Sequence, residues 1–233
     1  YIPLVSGKQK LPLLIWSSGS AWLSDNGRVV PPDVLDFFTA RGYAVAGVSV
    51  RSSAQDNFPG QLHDIRAAIR WLRMHAADHN LDTTRFAIMG NSSGGWVSAI
   101  AGTTSDVVQL PGEPVVAGVS SAVQVAVPFF PPTDFLQMDP WFAENCASPP
   151  PPWGFVPGLC SALQHDLPLS PLPLPWIPIA TASPESLLVR CTDAPGNLQG
   201  IQTCPNEAEA AYPIAYVDGE DVPMLILHGT VDS

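Results

Sequence analysis

The stretch that most constrains this chain is residues 85–96, RFAIMGNSSGGW. A strand-like run at 85–89 leads into Gly90-Asn91-Ser92-Ser93-Gly94, and small residues from 93 to 102 continue as a helix. A strand that turns into a helix within so few residues must bend sharply at its middle residue, Ser92. The backbone two residues before and two after then crowd each other, and glycine at 90 and 94 leaves the room. Such a bend holds the Ser92 hydroxyl clear at the carboxyl end of a sheet. It also sets that hydroxyl beside the free N–H groups and positive dipole end of the new helix. G-x-S-x-G between a strand and a helix is the pattern of an activated serine. Asn91-Ser92-Ser93 also spells a glycosylation sequon, but a glycan would obstruct so tight a turn.

The rest of the chain supplies the sheet. Apolar runs at 11–16 (LPLLIW), 43–50 (YAVAGVSV), 122–130 (AVQVAVPFF) and 223–228 (PMLILH) read as further strands. Residues 31–41 carry helix start and stop signals, Pro-Pro-Asp before and Arg41-Gly42 after. Residues 59–80 place Leu62, Ile65, Ile69 and Leu72 on one helical face. Strands that alternate with helices and are apolar on both faces predict an α/β fold, a mostly parallel central sheet with helices on both sides. The 233 residues suit a single domain spanning 1–233. The rhythm breaks over 131–215, where a proline-rich and cysteine-rich, lid-like insertion is expected at 136–210. Fifteen of the 26 prolines fall between Pro128 and Pro184, too many for regular elements.

Charge and cysteine content narrow the class. The net charge is −11, with Lys8 and Lys10 the only lysines, so nucleic acid and anionic membranes are poor partners. No apolar stretch is as long as a membrane span. Cys146, Cys160, Cys191 and Cys204 cluster in the proline-rich region, which predicts two disulfides and a secreted, extracellular setting; three pairings are possible. No metal site is expected, since the cysteines lack C-x-x-C spacing. There is no dinucleotide fingerprint, P-loop or H-E-x-x-H either, so no cofactor is expected.

An activated serine needs a base, an acid that orients the base, and donors for the developing negative charge. Asp232, just past the late run LILH, is the expected acid at the same sheet edge as Ser92; Asp134 and Asp56 compete but follow no late strand. His63, His75 and His79 fall in the 59–80 helix, His228 ends the late strand, and His165 lies in the insertion. None suits the base, so the catalytic histidine is expected beyond Ser233. The backbone N–H groups of Ser20, Ala21 and Ser93 are the expected oxyanion donors, the first two from WSSGSAW (16–22). Trp22 and Trp96, with Trp141, Trp153 and Trp176, are candidates to line a substrate site.

At these stretches the chain resembles the α/β-hydrolase esterases. It is most similar to the group of bifunctional feruloyl and acetyl xylan esterases, and also to the hormone-sensitive-lipase-like carboxylesterases. WSSGSAW stands where that family has a His-Gly-Gly-rich oxyanion segment. NFPGQLHDIRAAIRWLR (57–73) resembles its proline-started helix, RFAIMGNSSGGW its nucleophile elbow, and PMLILHGTVD its late strand with the acid. The resemblance implies an α/β-hydrolase fold and a serine carboxylic-ester hydrolase acting on small or polymeric esters. It implies Ser92 as nucleophile, Asp232 as acid, and the amides of Ser20, Ala21 and Ser93 as donors. Ser18 stands in place of the family's histidine and Ser20 in place of a glycine. Family members also extend beyond both ends of this chain, so the domain is expected to be incomplete at both. A second reading is a hydrolase-fold binding module without catalysis, motivated by the missing histidine and the altered oxyanion segment.

Overall fold

A computed structural model describes residues 1–3, 9–105, 110–113, 118–138, 183–192 and 198–229. Four strands, β1 (Leu11–Ser17), β2 (Ala44–Gly47), β3 (Leu81–Asn91) and β4 (Val125–Phe129), form one sheet in the order β2-β1-β3-β4. Every pairing is parallel. Parallel neighbours need crossovers, and three helices supply them: α1 (Pro32–Thr39), α2 (Gly60–Met74) and α3 (Ser93–Thr104). This is the α/β-hydrolase architecture expected from the sequence.

The central strand shows why the apolar runs lack alternation. Leu13 and Ile15 of β1 join the large core built with α2 and α3, whereas Leu14 and Trp16 join a smaller core against α1. Both faces are covered, so both must be apolar. All twelve residues of α3 are buried, which explains its small, uncharged sequence. α2 is fixed by charge as well as by its apolar face. Arg66 and Arg70 both pair with the buried Glu113, and Arg66 also donates to the Thr104 carbonyl at 2.8 Å. Arg73 donates to the Ala122 carbonyl at 2.7 Å. Backbone carbonyls at the end of α3 and just before β4 are thereby tied to α2, which holds the approach to β4.

Three elements differ from expectation. α2 ends at Met74 rather than near 80, because Asn80 takes a left-handed φ of 54° and Leu81 enters the sheet opposite Leu11. β3 therefore starts earlier than expected. Residues 223–228 do lie parallel beside β4, with bridges Ala126–Met224 and Phe129–Leu227. They are not the covered strand predicted: Leu225 and Ile226 are 57% and 58% exposed, since no described element packs over them. Most of the expected insertion falls outside the described residues. Among those described, no helix is long and apolar enough to cross a membrane.

Candidate active site

β3 delivers the chain to the bend at the carboxyl edge of the sheet. Ser92 takes φ 53° and ψ −126°, a conformation rare for a residue with a side chain. Neighbours hold it there. Its N–H donates to the Phe129 carbonyl of β4 at 3.0 Å, and its carbonyl accepts from the Trp96 N–H at 2.9 Å, the first turn of α3. A Cβ on Gly90 would lie 2.3 Å from the Gly94 carbonyl oxygen, and one on Gly94 would lie 2.0 Å from that of Ser17. The expected crowding is therefore present, and β1 takes part in it. Ser92 is half-buried, and its hydroxyl has no hydrogen-bond partner among the described residues.

A second tight turn follows β1 and leans on the first. Ser18 Oγ accepts from the Trp16 indole N–H at 2.8 Å and donates to the Val29 carbonyl at 2.6 Å, which anchors the base of the loop. The Gly19 N–H donates to Asn91 Oδ1 at 3.1 Å, and the Ser20 N–H donates to Ser93 Oγ at 2.8 Å. The chain then turns, with the Leu23 N–H donating to the Ser20 carbonyl at 3.0 Å. Both central residues are left-handed, Ala21 at φ 51° and Trp22 at φ 56°. Of the three expected oxyanion donors, the Ser20 N–H is thus already engaged. Nothing among the described residues accepts from the N–H groups of Ala21 or Ser93.

Trp22 and Trp96 sit behind this turn, not in front of it. They are 4% and 0% exposed. Trp22 meets Trp96 and Phe135 edge-on, each with ring centroids 5.5 Å apart. The Trp96 indole N–H donates to the Ala211 carbonyl at 2.8 Å. Both tryptophans, expected as substrate-lining residues, are core.

The elbow and the turn both fall within residues 1–151, which match the BD-FAE family model. The chain belongs to the BD-FAE family. Among curated proteins it is similar to the esterase LipQ of Mycobacterium tuberculosis, 24% identical over 230 residues, covering 99% of this chain and 44% of LipQ. A solved bifunctional GH43-CE protein of Bacteroides eggerthii is 26% identical with a TM-score of 0.70, covering 100% of this chain and 28% of that one. A truncated carbohydrate esterase from gut microbiota is 25% identical with a TM-score of 0.69, covering 98% of this chain and 70% of that one. The chain spans less than half the length of the curated relatives it matches.

The remaining candidates divide around this BD-FAE core. Asp232 lies outside the described residues, as do His165, Cys146, Cys160, Trp141, Trp153 and Trp176. Of the competing acids, Asp56 pairs with Arg51 at 2.8 Å. Asp134 lies close enough for its charge to act on the Tyr212 hydroxyl, which accepts from the Leu136 N–H at 2.8 Å. Burial, with the Asp134 charge as a smaller cause, pushes the Tyr212 hydroxyl up to about 12. No described histidine contacts Ser92. His75 stacks on Trp71 at 4.4 Å and pairs with Asp78, while His63 sits near Gly112 and is lowered mainly by burial. His228 Nδ1 lies 3.4 Å from the Gly229 carbonyl. No cluster of metal-ligating side chains occurs among the described residues.

Of the three cysteine pairings left open, the structure contains Cys191–Cys204, with Cα atoms 5.7 Å apart. What the sequence did not suggest is the part played by Asn91 and Ser93. They flank the serine, and both side chains reach across to the neighbouring turn. Two polar residues in the variable positions of G-x-S-x-G were the available signal.

Proposed function

We propose that this chain forms the nucleophile and oxyanion portion of a secreted serine carboxylic-ester hydrolase. Ser92 Oγ attacks the ester carbonyl carbon as its proton passes to a general base. The tetrahedral oxyanion is held by the N–H groups of Ala21 and Ser93, with the start of α3 adding its dipole. Collapse expels the alcohol, which takes the proton from the base and leaves an acyl-Ser92 ester. Water, deprotonated by the same base, then releases the acid and restores the serine. The base is assigned to a histidine following Asp232 in a longer chain, and Asp232 to its orientation. Aryl, feruloyl, acetyl or polyester-type esters are the proposed substrates; the BD-FAE family match and the likeness to a truncated carbohydrate esterase support ester-bond hydrolysis as the class of reaction. The Cys191–Cys204 disulfide supports the extracellular assignment.

One observation carries the reading: a half-buried serine held at φ 53° whose hydroxyl is uncommitted among the described residues, next to a turn with N–H groups that are open among those residues. A fluorophosphonate probe on the full-length protein is expected to label Ser92, and Ser92→Ala to lose labelling and at least about 10³-fold in kcat. A folded full-length protein that neither labels nor hydrolyses esters would establish the binding-module reading instead.

A further inference from the structure

The turn after β1 would not hold its shape unaided. Two consecutive side-chain-bearing residues, Ala21 and Trp22, are left-handed, each at a conformational cost. The chain here must also approach the nucleophile closely, since a Cβ on Gly19 would lie 2.7 Å from Ser92 Cβ and 2.5 Å from the Asn91 carbonyl oxygen. Something must fix the turn against the elbow at this range. The hydrogen bonds that cross the gap come from the two residues beside the nucleophile: Asn91 Oδ1 takes the Gly19 N–H and Ser93 Oγ takes the Ser20 N–H. The next N–H along the chain, that of Ala21, has no acceptor among the described residues.

We infer that Asn91 and Ser93 are positioning residues whose side chains clamp the turn onto the elbow and so aim the Ala21 N–H at the oxyanion. This rests on the esterase reading of Ser92 and deepens it. The clamp explains why successive N–H groups play different parts. Those of Gly19 and Ser20 are consumed as anchors, which leaves Ala21 as the donor. It also assigns a use to the two variable positions of the elbow motif. Ser93 contributes twice, its backbone N–H to the oxyanion and its hydroxyl to the anchor, so Ser93→Ala separates the two roles by removing only the second.

The experiment compares wild type, Asn91→Ala, Asn91→Asp and Ser93→Ala in the full-length protein. It uses a small aryl ester for kcat and KM, and a trifluoromethyl ketone whose Ser92 adduct carries a tetrahedral oxyanion. Loose oxyanion donors impair the transition state and spare ground-state binding. Asn91→Ala and Ser93→Ala are therefore expected to lower kcat by about 10²-fold with KM little changed, the scale of a misplaced catalytic group. Both should weaken the trifluoromethyl ketone in parallel. Asn91→Asp keeps an acceptor oxygen at the same reach and is expected to recover most of the loss. Thermal melts identify any variant that fails to fold, and the other alanine variant then reads the same clamp. Unimpaired kcat in a folded alanine variant, a loss confined to KM, or equal losses in Asn91→Ala and Asn91→Asp would each overturn the clamp while wild-type activity stands. Full activity in Ser92→Ala would overturn the esterase reading, and the clamp with it.

Discussion

Two bends meet at the carboxyl edge of the sheet, one after β3 and one after β1, and they hold their shape differently. The bend at Ser92 is marked by its own residues, although the Phe129 and Ser17 carbonyls of the neighbouring strands also bear on it. Gly90 and Gly94 remove the side chains that would strike neighbouring carbonyls, and the start of α3 follows at once. The turn at Ala21–Trp22 has no glycine at either left-handed position. It is held from outside, by hydrogen bonds to Asn91 and Ser93 in front and by the wedge of Trp22 against Trp96 and Phe135 behind. A bend that local residues determine can be read from a short string. A bend that distant contacts determine cannot, even when the two are equally tight.

The contrast can be broken at several points. The largest effect is expected at the external support: Trp22→Ala should cost about 3–5 kcal/mol of stability, the usual range for a buried tryptophan, and free the turn. Urea denaturation reads the first, and loss of the proposed ester hydrolysis by the full-length protein the second. An unaffected kcat would mean that packing does not hold the turn. Next comes the internal support. Gly94→Ala forces a Cβ to within 2.0 Å of the Ser17 carbonyl oxygen, and an overpacking cost of about 3 kcal/mol follows. Native stability in that variant would dismiss the glycine account of the elbow.

The smallest effect lies one residue further from the site. Tyr212 packs edge-on against Phe135, at 5.5 Å, and Phe135 in turn supports Trp22. Burial raises the Tyr212 hydroxyl from its ordinary value of 10 to about 12. The folded state thus holds this proton more tightly, so its contribution is complete below pH 10 and is lost as pH rises through 12. Denaturation curves across that window should show stability falling with pH, and Tyr212→Phe should flatten the fall.

The same division marks how much was legible beforehand. The parallel order of strands and crossover helices followed from apolar runs that lacked alternation, because β1 and β3 are covered on both sides. The elbow followed from its glycines. The ends of α2 and β3 are not legible in their own residues, because they depend on Asn80 turning left-handed and on pairing with Leu11, across the fold. Trp22 and Trp96 were expected at the substrate because indoles serve both roles, and only their burial distinguishes them. WSSGSAW places Ser20 among the expected donors, and that stretch alone does not reveal that its N–H is taken by Ser93 Oγ, 73 residues away in the chain. The late run 223–228 lies beside β4 as its composition predicts, but composition does not reveal that no described element covers Leu225 and Ile226.

The Cys191–Cys204 bond links positions 13 apart, and Cys191 lies within the main apolar core. Closing a ring of that size is worth about 3 kcal/mol through the entropy removed from the unfolded chain, a large fraction of the margin by which ordinary domains stay folded. Where the polypeptide is synthesised thus bears on how much of it survives. A host that exports it past its disulfide-forming enzymes should return soluble material, whereas production in a reducing cytosol should yield a chain more readily cut by proteases.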